Sequence, residues 1–207
     1  MIYTPKINGN EFDGYPLLPM HDNESGYYRV ILEKIQTRMD YCLTHYGKTL
    51  LVRLLIRYPT LLKAGEDNRC FQYFIEEYRR ALSSAGYRPH YLWAREQANA
   101  ENCHYHLLLW LDGNRIRYFN NPTQANAIWR SSLLKFYGYD APESGLIEVC
   151  HAEYSGVPMN HGILFSQEDE SLTVEAFRLS SYLAKVHTKG SAPYHVREYG
   201  CSLINRE

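Results

Sequence analysis

The sequence predicts an α+β domain built on a mainly antiparallel sheet. Three observations carry that expectation. Apolar residues recur at helical spacing in four segments, with short apolar runs between them, so helices and strands are interspersed along the chain. Two strand-like segments, His90–Glu96 and 103–111, are separated only by the polar stretch 97–102, which suits a hairpin and therefore antiparallel pairing. The order helix, strand, helix, two strands, helix, strand, helix also lacks the regular strand–helix alternation of a parallel sheet. With 207 residues, 45% hydrophobic and 22% charged, the chain has enough apolar material for one core, and a disordered chain is excluded.

Residues 1–24 carry Pro5, Gly9, Gly14, Pro16 and Pro19 and are expected to form an irregular arm, leaving 25–207 as the single domain. A helix is predicted over 27–46, ended by Gly47. The run TLLVRLLIRY at 49–58 reads as a buried strand closed by Pro59. A second helix over 68–84 puts Phe71, Phe74, Ile75, Tyr78 and Leu82 on one face. A third covers Thr123–Tyr137, and strands are expected at 146–151 and 162–165. The last helix is predicted over 172–187, with Ser171 as its N-cap and Leu172, Ala176, Leu179, Leu183 and Val186 as its core face. The tail from Gly190 reads as irregular, and there is no internal repeat.

Several classes of protein are excluded at this level. No apolar run approaches the roughly 18 residues of a membrane span, and the first residues lack the apolar core of a signal peptide. A cytoplasmic protein with no membrane partner is expected. The five cysteines are widely spaced and form no CxxC pair, so neither a disulfide framework nor a zinc ribbon is expected. The net charge of −1 hides an uneven distribution. Lys48, Arg53, Arg57 and Lys63 form one basic segment, and Arg178, Lys185, Lys189 and Arg197 belong to another. Joined by the fold, these segments would make a phosphate-tracking surface; apart, they are solvated faces.

The chemistry centres on His104-Tyr105-His106. On a strand, residues two apart point to the same side, about 7 Å apart along the chain, so the two imidazoles can converge on one metal ion. Glu96 ends the preceding strand, and a hairpin would set it beside the start of the HYH strand. Two imidazoles and a carboxylate, with remaining positions open, suit Mg²⁺ or Mn²⁺ acting on phosphate. The bland alternative for Glu96 is a strand-end salt bridge with Arg95 or Arg115. On the last helix, Arg178, Tyr182, Lys185 and Lys189 form a basic row that contains one tyrosine. A neighbouring ammonium would favour the phenolate of Tyr182. The alternative is a surface tyrosine packed on lysine stems.

In order, TLLVRLLIRY, HYHLLLW and SYLAK resemble the three motifs of the HUH endonuclease superfamily, the single-tyrosine rolling-circle replication initiators. The stretches WARE, HYHLLLW, SYLAKVHTKG and REYGCS resemble the inovirus-type gene 2 replication proteins of enterobacterial prophages. Tyr105 departs from the usual aliphatic or Phe at the middle of the histidine motif. The resemblance implies a ferredoxin/RRM-like sheet with helices on one face and the active site on the other. It implies Tyr182 and Lys185 as catalytic residues, and His104, His106 and Glu96 as ligands of Mg²⁺ or Mn²⁺. Arg53, Arg57, Arg178 and Lys189 would contact DNA; for Arg53 and Arg57 the alternative is a sheet-edge salt bridge. The implied reaction is nicking and joining of single-stranded DNA, or of a DNA origin hairpin, through a 5′-phosphotyrosine. The sequence shows no P-loop, so unwinding would fall to a host helicase and extension to a host polymerase. Two other functions fit the same residues: a non-catalytic nucleic-acid-binding regulator, and a metal-dependent phosphoesterase without a covalent intermediate.

Overall fold

The structure, a computed structural model, describes residues 6–19, 26–63, 66–97, 100–119, 122–142, 144–150, 153–154, 157–158 and 161–204. In chain order the elements are β1 (Lys6–Ile7), β2 (Glu11–Phe12), β3 (Tyr15–Pro16), β4 (Tyr27–Tyr28), α1 (Arg29–Tyr46), β5 (Lys48–Arg57), α2 (Arg69–Ser84), β6 (His90–Glu96) and β7 (His104–Asp112). There follow α3 (Thr123–Tyr137), β8 (Ile147–Val149), β9 (Glu153–Tyr154), β10 (Val157–Pro158), β11 (Ile163–Ser166), α4 (Glu170–Ser180), a 3-10 turn (Ser181–Ala184) and β12 (Tyr199–Cys201). The α+β class and the antiparallel sheet are therefore as expected. No helix among the described residues is long and apolar enough to cross a membrane.

The central sheet has the order β11-β5-β7-β6-β12, with β8 also paired to β5, and every pairing in it is antiparallel. β7 lies in the middle because it can: every residue from Tyr105 to Asp112 is buried, which only a strand covered on both faces tolerates. One face sends Leu50, Val52, Leu54, Ile56, Tyr105, Leu107 and Leu109 into a core with Phe71 and Phe74 of α2 and Trp129 of α3. The other sends Leu51, Leu92, Ala94, Leu108 and Trp110 against Ile31 and Ile35 of α1 and Phe177 of α4.

This corrects the expected layering. Helices cover both faces rather than one, because both faces of β5 and β7 are apolar and each must be removed from water. The expected arm is also more than an arm. Asp13 and Gly14 both take positive φ, 47° and 83°, and turn the chain between β2 and β3 as a tight hairpin requires. Phe12 and Tyr15 from that hairpin stack on Phe177, with ring centroids 6.1 and 4.5 Å away.

Two further corrections concern the end of the chain. The last helix starts earlier and stops sooner than predicted. Asp169, not Ser171, caps it by accepting from Leu172 N at 3.0 Å. After Ser180 the helix tightens into the 3-10 turn, and Lys185 is already extended, bridging to Tyr27. A 3-10 turn advances each residue by a larger angle than an α-helix, so Ser180, Ser181, Leu183 and Ala184 all face the core while Val186 is only half-buried. The tail, expected to be irregular, supplies β12 at the sheet edge. Gly200 makes this docking possible, since a Cβ there would lie 2.7 Å from the Trp93 indole.

Candidate metal centre

The hairpin of β6 and β7 places Glu96 directly opposite His104, and Ala94 opposite His106. All four residues therefore point to the α1/α4 face, at the end of the sheet where the hairpin loop begins. One ligand atom from each of Glu96, His104 and His106 lies within 4.8 Å of the others, and the group could hold a metal ion. Glu96 Oε2 is 3.4 Å from His106 Nε2 and 3.8 Å from His104 Nε2.

The chemistry of the donors fits a cation. Burial pulls the His106 pKa down against the raising influence of Glu96, which favours a neutral ring with a free lone pair. His106 Nδ1 is buried without a hydrogen-bond partner, so the ring is not held there by a protein network. Burial alone would raise the carboxyl pKa of Glu96. Its contacts with His104 and His106 and the charge of Lys189 outweigh that and hold it well below the usual carboxylate range.

The two oxygens of Glu96 are divided. Oε1 accepts from Thr188 Oγ1 at 2.8 Å and Lys189 Nζ at 3.2 Å, while Oε2 is turned to the histidines. Neither Thr188 nor this role for Lys189 was visible in the sequence. Lys189 had been expected on DNA, but its side chain is buried, and its ammonium also donates to Lys185 O at 3.0 Å. The predicted salt-bridge alternative for Glu96 is thus realised in part, with Lys189 in place of Arg95 or Arg115.

Tyr182, on the 3-10 turn, comes to the same place. Its ring centroid is 4.9 Å from that of His106, at 68°. Arg53 Cζ and Lys185 Nζ each lie 4.9 Å from the Tyr182 ring centroid. The two basic segments therefore do meet, at this one tyrosine. The expected lowering of the phenol pKa does not follow. Burial raises it, the charge of Glu96 adds to the rise, and Arg53 offsets only part. Lys185 is itself buried, which lowers its pKa, and its ammonium donates to Pro19 O at 3.2 Å.

The remaining expected DNA contacts lie elsewhere. Arg57 pairs with Glu148 at 2.7 Å on a half-exposed edge, and Arg178 is held by both oxygens of Glu175 at 2.6 Å. Were Glu96 not the third ligand, the sequence would offer His151 next, and it lies outside the described residues.

Residues 11–202 match the YagK/YfjJ C-terminal domain family, and the chain belongs to it. Among curated proteins, none matches the chain.

Proposed function

We propose that the protein nicks and rejoins single-stranded DNA through a phosphotyrosine on Tyr182, as initiators of rolling-circle replication of phages and mobile elements do. The observation that carries this reading is the convergence of Tyr182 with Glu96, His104 and His106, four residues from three separate segments, at one end of the sheet. Glu96, His104 and His106 are the residues that would hold Mg²⁺ or Mn²⁺. Such an ion, when bound, neutralises charge developing on the non-bridging phosphate oxygens.

The remaining roles belong to the chain's own groups. Tyr182 Oη attacks the scissile phosphorus, the P–O3′ bond breaks, and the strand downstream of the nick stays on the tyrosine through its 5′-phosphate. The 3′-oxygen leaves as a hydroxyl, and the phenol proton is the one it gains in the balance. Attack by another 3′-hydroxyl reverses the step and rejoins the strand. Arg53 and Lys185 flank the ring and offer positive charge to the phosphate. Thr188 and Lys189 keep Glu96 in one orientation.

The test is incubation with Mn²⁺ and short single-stranded DNA, followed by denaturing electrophoresis. A protein–DNA band stable to boiling in detergent is the expected result. Cleavage without an adduct would make the protein a phosphoesterase in which Tyr182 is structural. Binding without either would leave a nucleic-acid-binding module.

A further inference from the structure

Arg95 precedes Glu96 on β6 and points to the opposite face, across from Tyr105. It is only 4% exposed, yet its Nε and Nη1 are buried with no hydrogen-bond partner. Among the described residues no carboxylate pairs with it. Arg38 shows the contrast. It is 5% exposed, and it donates from Nε to Tyr91 O at 3.1 Å, from Nη1 to Lys34 O at 2.9 Å and from Nη2 to Ser202 O. Arg38 is a structural arginine that joins α1 to the sheet edge. Arg95 has the burial of such a residue without the bonds at Nε and Nη1, and leaving buried donors of a charged group without partners is costly.

Arg95 also lines a cavity of about 290 Å³ together with Lys63, Asn102 and Ser191, with Glu66 and Glu101 exposed at its margin. Glu101, Asn102 and Cys103 are shared with a second cavity of about 370 Å³ that reaches His104. The two spaces thus adjoin at the base of the hairpin loop, one ending at a candidate metal ligand and the other at Arg95, two of whose nitrogens are without a partner. The planar fork of arginine matches the oxygens of a phosphate.

We propose that Arg95 is the floor of a phosphate-binding subsite, which takes a backbone phosphate of the same nucleic-acid strand whose scissile phosphate meets His104 and Tyr182. The proposal rests on the nicking reading for its choice of ligand, and on the Arg95 cavity alone for the site. The adjoining cavities favour a polymer over free phosphate, because a strand can occupy both at once.

The experiment uses the full chain and the Arg95→Met variant. Thermal unfolding is followed in phosphate and in chloride at equal ionic strength, and fluorescence anisotropy follows a labelled single-stranded oligonucleotide across a salt series. Phosphate should raise the midpoint of the wild type and leave that of Arg95→Met unmoved. The variant should be at least as stable as wild type in chloride, because an unpaired buried charge has been replaced by an apolar chain. Its oligonucleotide affinity should fall about tenfold, and its salt slope by about one. Lys63→Gln, an exposed change that leaves the core alone, should weaken oligonucleotide binding by a smaller factor, and it carries the test should Arg95→Met not fold. Glu101→Gln should tighten oligonucleotide binding.

Equal stabilisation of wild type and Arg95→Met by phosphate would overturn the site. So would a loss of stability in Glu101→Gln, which would mean that Glu101 is Arg95's partner in solution. A phosphate response confined to wild type, with unchanged oligonucleotide affinity in the variant, would overturn the strand as the ligand. Adduct formation with Mn²⁺ is scored separately. An adduct together with an indifferent Arg95→Met sinks this subsite alone, whereas Arg95-dependent binding without any adduct sinks the nicking reading alone.

Discussion

Arg95 and Glu96 are consecutive, charged and almost equally buried, at 4% and 2% exposure, yet the fold treats them in opposite ways. Glu96 faces α4 and the following turn, where Thr188, Lys189, His104 and His106 surround its carboxylate. Arg95 faces the α2 side of the sheet and finds no such company for two of its nitrogens. The difference teaches that burial by itself does not mark a functional group. Oε1 of Glu96 is occupied by Thr188 and Lys189, whereas Oε2 turns to the two histidines of the candidate metal centre. A buried charge with incomplete partners, as Arg95 is, has bonding capacity left for something that binds.

The largest expected effect falls on His106, the more buried of the two candidate histidine ligands. His106→Ala should lower Mn²⁺ affinity by more than about a hundredfold, since even residues behind the ligands typically cost tenfold to a hundredfold. Isothermal titration and circular dichroism together check this, with the fold expected to persist. Unchanged affinity would remove His106 from the candidate metal centre.

Lys189→Met breaks the buried pair from its other side. It leaves the Glu96 carboxylate buried against two imidazoles, and breaking such a pair costs about 3–5 kcal/mol. Chemical denaturation should show that loss, and Mn²⁺ should restore part of it by replacing the missing positive charge. A variant as stable as the wild type would show that Lys189 is not what holds Glu96.

The smallest effect lies away from both groups, at His90. Burial, followed by the charges of Arg38, Arg88 and His45, lowers its pKa from 6.5 to about 4. Between those values the unfolded chain binds the proton and the folded chain does not, so stability rises with pH there. The contribution is complete above pH 6.5 and is lost as pH falls toward 4. His90→Gln should flatten the denaturation midpoint over this window and leave Mn²⁺ binding intact. A change in metal binding would mean that the two regions are coupled.

Much of the candidate site was legible in the sequence, because it rests on short-range geometry. The two-residue period of a strand puts His104 and His106 on one face, and a short polar loop sets Glu96 across from His104. The burial of β7 was likewise readable from the run LLLWL. What escaped depends on distant partners. The change from α-helix to 3-10 turn at Ser181 involves no Gly or Pro; it goes with Leu18 N donating to Ser181 Oγ at 2.9 Å and Lys185 bridging to Tyr27. The edge strand at Tyr199–Cys201 is too short to announce itself, and Gly200 shows its purpose only beside Trp93. Lys189 looks like any basic surface residue until its ammonium is seen on Glu96.

The proposed function assigns Tyr182 the role of nucleophile in a metal-dependent strand transferase. It is tested most directly by trapping the covalent product of the wild type with Mn²⁺ and single-stranded DNA and mapping the modified peptide, beside the Tyr182→Phe protein. Removing only the hydroxyl keeps the ring against His106, Arg53 and Lys185. DNA is expected on the fragment containing Ser181-Tyr182-Leu183, and the Tyr182→Phe protein is expected to bind metal and DNA as the wild type does but to form no adduct. An adduct on Tyr154, Tyr194 or Tyr199, or one that persists in Tyr182→Phe, would contradict it.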